Sequence, residues 1–374
     1  MTLNLRGSWL LSMSALDVSV DWRRSLPSNV RDVGARWPGN RLGAHAHALS
    51  DQFGHPIFIS LGGHSSFTHS ELWIGSLEPL QLNCFELGAQ SLLWLWGHTS
   101  CLIAERLQLW VFGGRGPQGD ISNSVHCIST SPTLKVDLVP ALNAPPPRYR
   151  HAAALDGNLM VIFGGVIHLG SAFKKRRYDN TVAVFDTQAL TWSYPAIAAG
   201  PKPSNRADHT LTRIREGLFL LMFGCLEDDD KPCNEIWELA RGASWSWRQI
   251  SCSGSPLAGL FAHSAVLWNN CVVVFGGMKG ASAKNLSYCN DLSVVDTVTW
   301  HHHAVPSKNS PSGRCGHGST LFGNSMVRLS ASCCYAKCIF VVEVSIDSTT
   351  VYHSPLPCLL FDYLYSGCIS WKLQ

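Results

Sequence analysis

At 374 residues, with 46% hydrophobic and 15% charged side chains, the chain has enough apolar mass to bury a large core. A formal charge of +3 and a pI near 8.2 are too mild for a nucleic-acid binder, which concentrates basic residues on one face. No apolar stretch reaches the roughly 20 residues of a membrane helix, so a soluble protein is expected.

The first 36 residues precede the periodic part of the chain. GSWLLSMSAL is a poor secretory leader, because Arg6 alone precedes it and serines interrupt it. ALDVSVDWRRSLPS, residues 15 to 28, has the alternation of later strand pairs with Trp22 in the aromatic place, and is predicted to lend an outer strand to the last repeat unit.

From His45 onward one unit recurs. His45, His98, His151, His209, His263 and His317 stand 53, 53, 58, 54 and 54 residues apart, and each opens an apolar, strand-like run. Those runs end in Gly62-Gly63, Gly113-Gly114, Gly164-Gly165, a single Gly224 and Gly276-Gly277; counted on first glycines, the steps are 51, 51, 60 and 52 residues. In HAAALDGNLMVIFGG, Asp156-Gly157 marks a tight hairpin between two strands. The third unit continues through Lys174-Lys175-Arg176-Arg177 into NTVAVFDTQALTWSYP, where an Asp and a Trp bracket another turn. The fourth carries Glu227-Asp228-Asp229-Asp230, and the fifth ends in CNDLSVVDTVTWHH. The sixth begins well at RCGHGSTLFGNSMV, but no glycine pair follows. FVVEVSIDSTTVYHSP then regains the look of strands three and four, and residues 356 to 374 match no repeat element. Two candidates for the last outer strand leave room for a seventh, partial unit or a displaced tail.

A unit of about 50 residues with four short strands cannot bury both faces alone, and a ring of blades is the solution for such arrays. The histidine-led first strand, the glycine pair closing the second and the aromatic residue in the fourth together resemble the kelch repeat over about residues 37 to 326. That resemblance implies an all-β, kelch-type β-propeller, six blades of four antiparallel strands with an irregular last blade. The implied division is an N-terminal segment at 1–36, the propeller at 37–355 and an unassigned tail at 356–374. The histidines are expected to be structural, as copied polar positions inside a repeat. Arg148, Arg206 and Arg314 precede theirs by three residues, a spacing suited to bonding the neighbouring unit's backbone or its histidine; Leu95 and Leu260 take that place in the second and fifth units, and Arg41 sits one residue further out.

Function in such rings lies in the loops, and the loops joining strand two to three and strand four to the next blade share a rim. There the basic run Lys174, Lys175, Arg176 and Arg177 is predicted to face the acidic run Glu227, Asp228, Asp229 and Asp230, as two solvated loops or as a bipolar docking surface bordered by Arg148, Arg150 and Arg206. The resemblance implies a non-catalytic interaction module for a protein partner. Kelch rings also occur fused to methyltransferases, as in the leucine carboxyl methyltransferase-like tRNA wybutosine-synthesis proteins; the alternative reading is the kelch portion of such an enzyme, inactive as this chain. GxSxG, P-loop and HExxH signatures are absent, no ligand set like that of the copper radical oxidases aligns, and neither catalysis nor a cofactor or metal is expected. His301-His302-His303 alternates faces on a strand and reads as an exposed run. Fourteen cysteines without a CxxC pair read as reduced thiols of a cytoplasmic protein, the basic run being also a weak nuclear address.

Overall fold

The computed structural model describes residues 30–35, 43–50, 56–64, 69–77, 80–87, 95–130, 134–168, 176–227, 230–281, 285–305, 313–322, 325–329, 339–346 and 371–373. Each histidine-led run forms a hairpin, and in those opened by His98, His151, His209 and His263 the apolar alternation is interrupted by a residue that takes positive φ, Leu107, Gly157, Gly217 and Asn269. Asp156 pairs with Leu159 across Gly157 at φ 62°. The hairpins grow into sheets. Blade two comprises Thr99–Ile103, Gln108–Phe112, Val125–Ser129 and Lys135–Val139, in that spatial order. Blade three follows with Ala152–Asp156, Leu159–Phe163, Val182–Asp186 and Thr191–Ser193, and blade four with Thr210–Arg215, Leu218–Met222, Ile236–Ala240 and Ser246–Ile250. Blade five holds Ser264–Trp268, Cys271–Phe275, Leu292–Asp296 and His301–Val305.

Blades one and six meet. Blade one has His45–Ser50, Pro56–Leu61, Glu71–Leu77 and Leu80–Leu87, with Val30–Ala35 antiparallel on its outer edge. Blade six has Ser319–Phe322, Ser325–Leu329 and Ile339–Ile346, with Trp371–Leu373, from the stretch that matches no repeat, parallel on its edge. The innermost strand of blade six packs against that of blade one, and the Ala48 N–H donates to Thr320 Oγ1 at 2.9 Å. Six innermost strands therefore close the propeller. Residues 15 to 28, expected as an outer strand of the last blade, lie outside the described residues.

The core lies between blades rather than on the axis. Every second strand is sandwiched by two neighbours, so its alternate residues serve different seams: Met160 and Ile162 join Trp110 and Phe112 of blade two, while Val161 and Phe163 join Phe219 and Leu221 of blade four. That explains why these strands read as unbroken apolar runs; each fully buried side chain contributes roughly 1.5–3 kcal/mol. The outer edges of blades three, four and five are covered by the linker from the preceding blade. Leu142 bridges Thr191, Ile197 bridges Trp245, and Ser253–Gly254 lies parallel to His301–His302.

Three expectations shift in register. Arg150, Asp208, Ala262 and Gly316 precede their histidines and link the axis by backbone bonds, yet in blade one Gly43 holds that place, so Ala44 replaces the histidine and His45 falls one position later. Gly224 is the second glycine of its pair: Phe223 takes the first place at φ 59°. In blade five Trp300 sits in the turn, its N–H bonded to the Asp296 carbonyl as Leu190 is to Asp186, so buried His302, not Trp300, matches Trp192. The histidine triplet is thus only partly exposed, with the His301 and His303 rings 4.3 Å apart.

Candidate functional site

The histidines brace the seams. Nε2 of His151 bonds Thr99 Oγ1 at 2.7 Å, His263 bonds Thr210 at 2.9 Å and His317 bonds Ser264 at 2.8 Å, each reaching into the preceding blade. His209, opposite an alanine at that place, bonds the Phe163 carbonyl at 3.1 Å. The glycine pair makes room for this. A Cβ on Gly164 would lie 2.8 Å from both the Arg206 carbonyl and His209 Cε1, while the Gly165 N–H donates to that carbonyl at 2.9 Å.

Arg148 and Arg206 are corrected from rim residues to interior braces. Both are fully buried. Arg148 Nη1 donates to the carbonyl of Gly164 in its own blade at 2.9 Å and pairs with Asp179 at 2.8 Å. Arg206 repeats the arrangement with the Phe223 carbonyl at 3.0 Å and the Glu235 carboxylate. The guanidinium thus serves its own blade, whereas the arginine carbonyl serves the neighbour. Burial lowers the Arg148 pKa, with Asp179 acting against the shift.

The shared rim is present. Arg148–Tyr149, entering blade three, pairs with Val166–His168 of the strand-two-to-three loop, which pairs with Arg176–Tyr178. Arg206–Ala207 pairs with Cys225–Leu226 in blade four. On this rim the opposite charges of blades three and four meet: Arg176 lies 2.9 Å from Asp230, and Arg177 3.8 Å from Glu227. Lys174, Lys175, Asp228 and Asp229 lie outside the described residues.

Closer to the axis, Arg150 Nε donates to Asp208 Oδ2 at 2.6 Å. Their φ angles of 58° and 51° place both side chains off the axial backbone ring at its mouth. Burial would depress the Arg150 guanidinium, but the Asp208 charge and hydrogen bonds outweigh it and hold the pKa well above the ordinary value. Arg150 and Arg176 both approach the Tyr178 ring, at 6.0 and 5.6 Å, and the Tyr178 hydroxyl donates to Asp230. Burial raises the Tyr178 hydroxyl, and Arg150 acts against it. Burial resists ionisation of Asp230, yet the Tyr178 hydroxyl and the charges of Arg176 and Arg150 bring its carboxyl below the usual range. Next around the rim, Arg115 lies 5.9 Å from the Trp96 ring and 5.5 Å from that of Tyr149. Burial pushes the Cys225 thiol beneath Arg150 up to about 12, which keeps it protonated at neutral pH.

Asp208, Tyr178, Trp96 and Arg115 were missed in the sequence. A signal existed for Asp208, which precedes His209 as Arg150 precedes His151. Among the described residues no group of three or more His, Cys, Asp or Glu is placed to hold a metal ion, and no helix is long and apolar enough to cross a membrane.

Comparison with known proteins bears on this ring. The model of the KLHDC2/KLHL20/DRC7 Kelch-repeats domain matches residues 45–198 and 166–340. Tip elongation aberrant protein 1 of Schizosaccharomyces pombe is 29% identical over 206 residues, 54% of this chain and 17% of that protein. Host cell factor 1 of Homo sapiens is 26% identical over 257 residues, covering 62% and 11%. Kelch domain-containing protein 1 of Homo sapiens is 26% identical over 244 residues, covering 64% and 50%. The chain therefore spans half or less of the length of these relatives. The solved structure of YjhT superposes with a TM-score of 0.56 at 16% identity, over 81% of this chain and 95% of that one, a likeness of fold.

Proposed function

The chain belongs to the kelch-repeat family, and from that premise we propose that it is a non-catalytic docking module which takes a charged segment of a protein partner on the rim of blades three and four. The observation carrying this reading is the line of cross-blade charge pairs, Arg150 with Asp208, Arg176 with Asp230 and Arg177 with Glu227. Such a line offers both signs of charge within one footprint, with Tyr178 as an apolar floor. The more exposed pairs, Arg176 with Asp230 and Arg177 with Glu227, contribute at most about 1 kcal/mol each to folding, so their charges are free to exchange partners on docking, while the more buried Arg150–Asp208 pair stays in place. Rim charges steer association and set register more than they add affinity. The described cysteines are all free thiols, which suits a reduced, cytoplasmic or nuclear setting.

The test is affinity capture with mass spectrometry by the wild type and by a variant with Lys174, Lys175, Arg176 and Arg177 changed to glutamate. The main partner should be lost while the melting temperature falls by no more than about 4 °C, the four exposed changes costing about 0.5 kcal/mol or less each. Capture should also weaken with salt, over a Debye length of about 8 Å. Capture that survives both the reversal and high salt would move the interface off this rim.

A further inference from the structure

The six seams of the ring are not equal, and the one between blades one and two lacks the axial bond that the seam where the chain ends meet retains. Three devices cross a typical seam: an axial backbone bond, the histidine Nε2 bond and the bond from the second glycine to the residue three before the histidine. Axial bonds run from Gly43 to Gly316 at 2.7 Å, Arg150 to Gly97 at 2.7 Å, Asp208 to Arg150 at 2.9 Å, Ala262 to Asp208 at 2.8 Å and Gly316 to Ala262 at 2.7 Å. The sixth link, between Gly97 and Gly43, is absent among the described residues. At this same seam neither ring nitrogen of His98 makes a hydrogen bond of normal geometry, although the Leu95 carbonyl lies close enough to act on its charge. The glycine bond, Gly63 to Leu95, is 3.3 Å here against 2.8–2.9 Å at the four seams from blade two to blade six.

The cause is the register shift in blade one. Thr99, Thr210 and Ser264 supply a hydroxyl to the next blade's histidine, but the equivalent residue in blade one is His45, whose ring meets that of His98 at 5.4 Å. Two bonds replace the lost ones: His47 Nε2 to Ser100 Oγ at 2.8 Å, and the Ser100 N–H to His45 Nδ1 at 3.4 Å. Three imidazoles thus share a seam with no carboxylate beside them among the described residues. The groups facing them are Thr99 and Ser100 from blade two, His151 from blade three and Thr320 from blade six; Arg148 adds only further positive charge behind His151.

We infer that the propeller opens at the seam between blades one and two, and that acid drives this opening, because a proton on His45, His47 or His98 is accommodated only when the blades part. Each imidazole that is charged only in the open form raises the open population by up to about tenfold per pH unit below its ordinary value. Burial, with mutual repulsion at His47 and His98, keeps all three neutral in the closed ring.

Residue-resolved amide exchange on the intact chain tests this. The seam-crossing N–H groups of Gly63 and Ser100 should exchange about tenfold or more faster than those of Gly114, Gly165 and Gly277, with the ratio growing from pH 7.5 to pH 6 after correction for intrinsic rates. His45→Thr, supplying the missing hydroxyl, should bring Gly63 back towards the others and flatten the pH dependence. Ser264→Ala, which removes a hydroxyl from a good seam, should make Gly277 exchange more like Gly63. Equal protection at all seams, or earlier opening between blades six and one, would overturn the inference.

Discussion

The steric role of the glycine pair can be isolated with two alanine substitutions. Gly157 and Gly164 have nearly the same backbone, φ 62° and 65°, but the Cβ position of Gly157 has nothing within 4 Å, while that of Gly164 meets the Arg206 carbonyl and His209 Cε1 at 2.8 Å. Gly157→Ala therefore reports the left-handed backbone alone, about 1–2 kcal/mol. Gly164→Ala adds the seam. Neither obstacle can step aside: the Arg206 carbonyl holds the Gly165 N–H at 2.9 Å, and the His209 ring is held by the Phe163 carbonyl at 3.1 Å. Relief requires blades three and four to separate by some tenths of an ångström, which weakens one or two hydrogen bonds of about 1 kcal/mol each and strains packing by about 1–3 kcal/mol. Gly164→Ala should thus cost about 3–7 kcal/mol, at least about 2 more than Gly157→Ala. With about 1–2 °C of melting temperature per kcal/mol in a chain of this length, the separation is resolved by circular dichroism melts and more clearly by urea unfolding. Equal losses in the two variants would refute the claim that contact across the seam, rather than φ, demands glycine at 164.

The sequence disclosed the period, and the structure shows why. Contacts between blades repeat in register, so the histidine brace and the glycine that makes room for it must recur together, whereas rim loops obey no such constraint. What the period could not disclose was side-chain direction. Arg148 and Arg150 are two residues apart, yet Arg148 belongs to a buried bridge under the Gly164 carbonyl, while Arg150 takes positive φ and turns to the mouth of the axis. A one-residue offset was equally hidden: His45 stands on beat in the sequence, but the axial backbone bond belongs to Gly43, which makes Ala44 the true counterpart of the other histidines. Trp300 misled for the same reason, because an aromatic residue suits either the end of a turn or the strand beyond it. The juxtaposition of Arg176 with Asp230 was legible from loop topology alone; the part played by Asp208 and Tyr178 needed the axial geometry.

Three further outcomes follow from the seams. Phe223→Gly, which restores the glycine of the repeat, should destabilise by about 2–4 kcal/mol in urea unfolding, since loss of a buried aromatic ring outweighs relief of the left-handed backbone; a gain in stability would show that the packing of Phe223 beside Leu260 is not favourable. Arg206→Leu should cost about 3–5 kcal/mol by stripping the Phe223 carbonyl and Glu235 of their partner, whereas Arg176→Ala on the rim should cost less than about 1 kcal/mol; similar losses would contradict the interior assignment. The last outcome is acid sensitivity at a pH where carboxylates are silent. Burial brings His98, His209 and His263 down to about 3 from an ordinary 6.5. The unfolded chain therefore binds protons below 6.5 that the native ring refuses until about 3, so stability is complete above that window and falls as pH drops through it. At pH 5.5 each histidine removes somewhat over 1 kcal/mol, together about 4, a large share of the 5–15 kcal/mol of a typical domain. Asp230 and Glu235, with burial opposed by their hydrogen-bonded partners, lie below the usual carboxylate range and lose their contribution only under more acid conditions. A urea midpoint unchanged between pH 7.5 and 5.5 would therefore mean that these imidazoles are already charged, or already hydrated, in the folded ring.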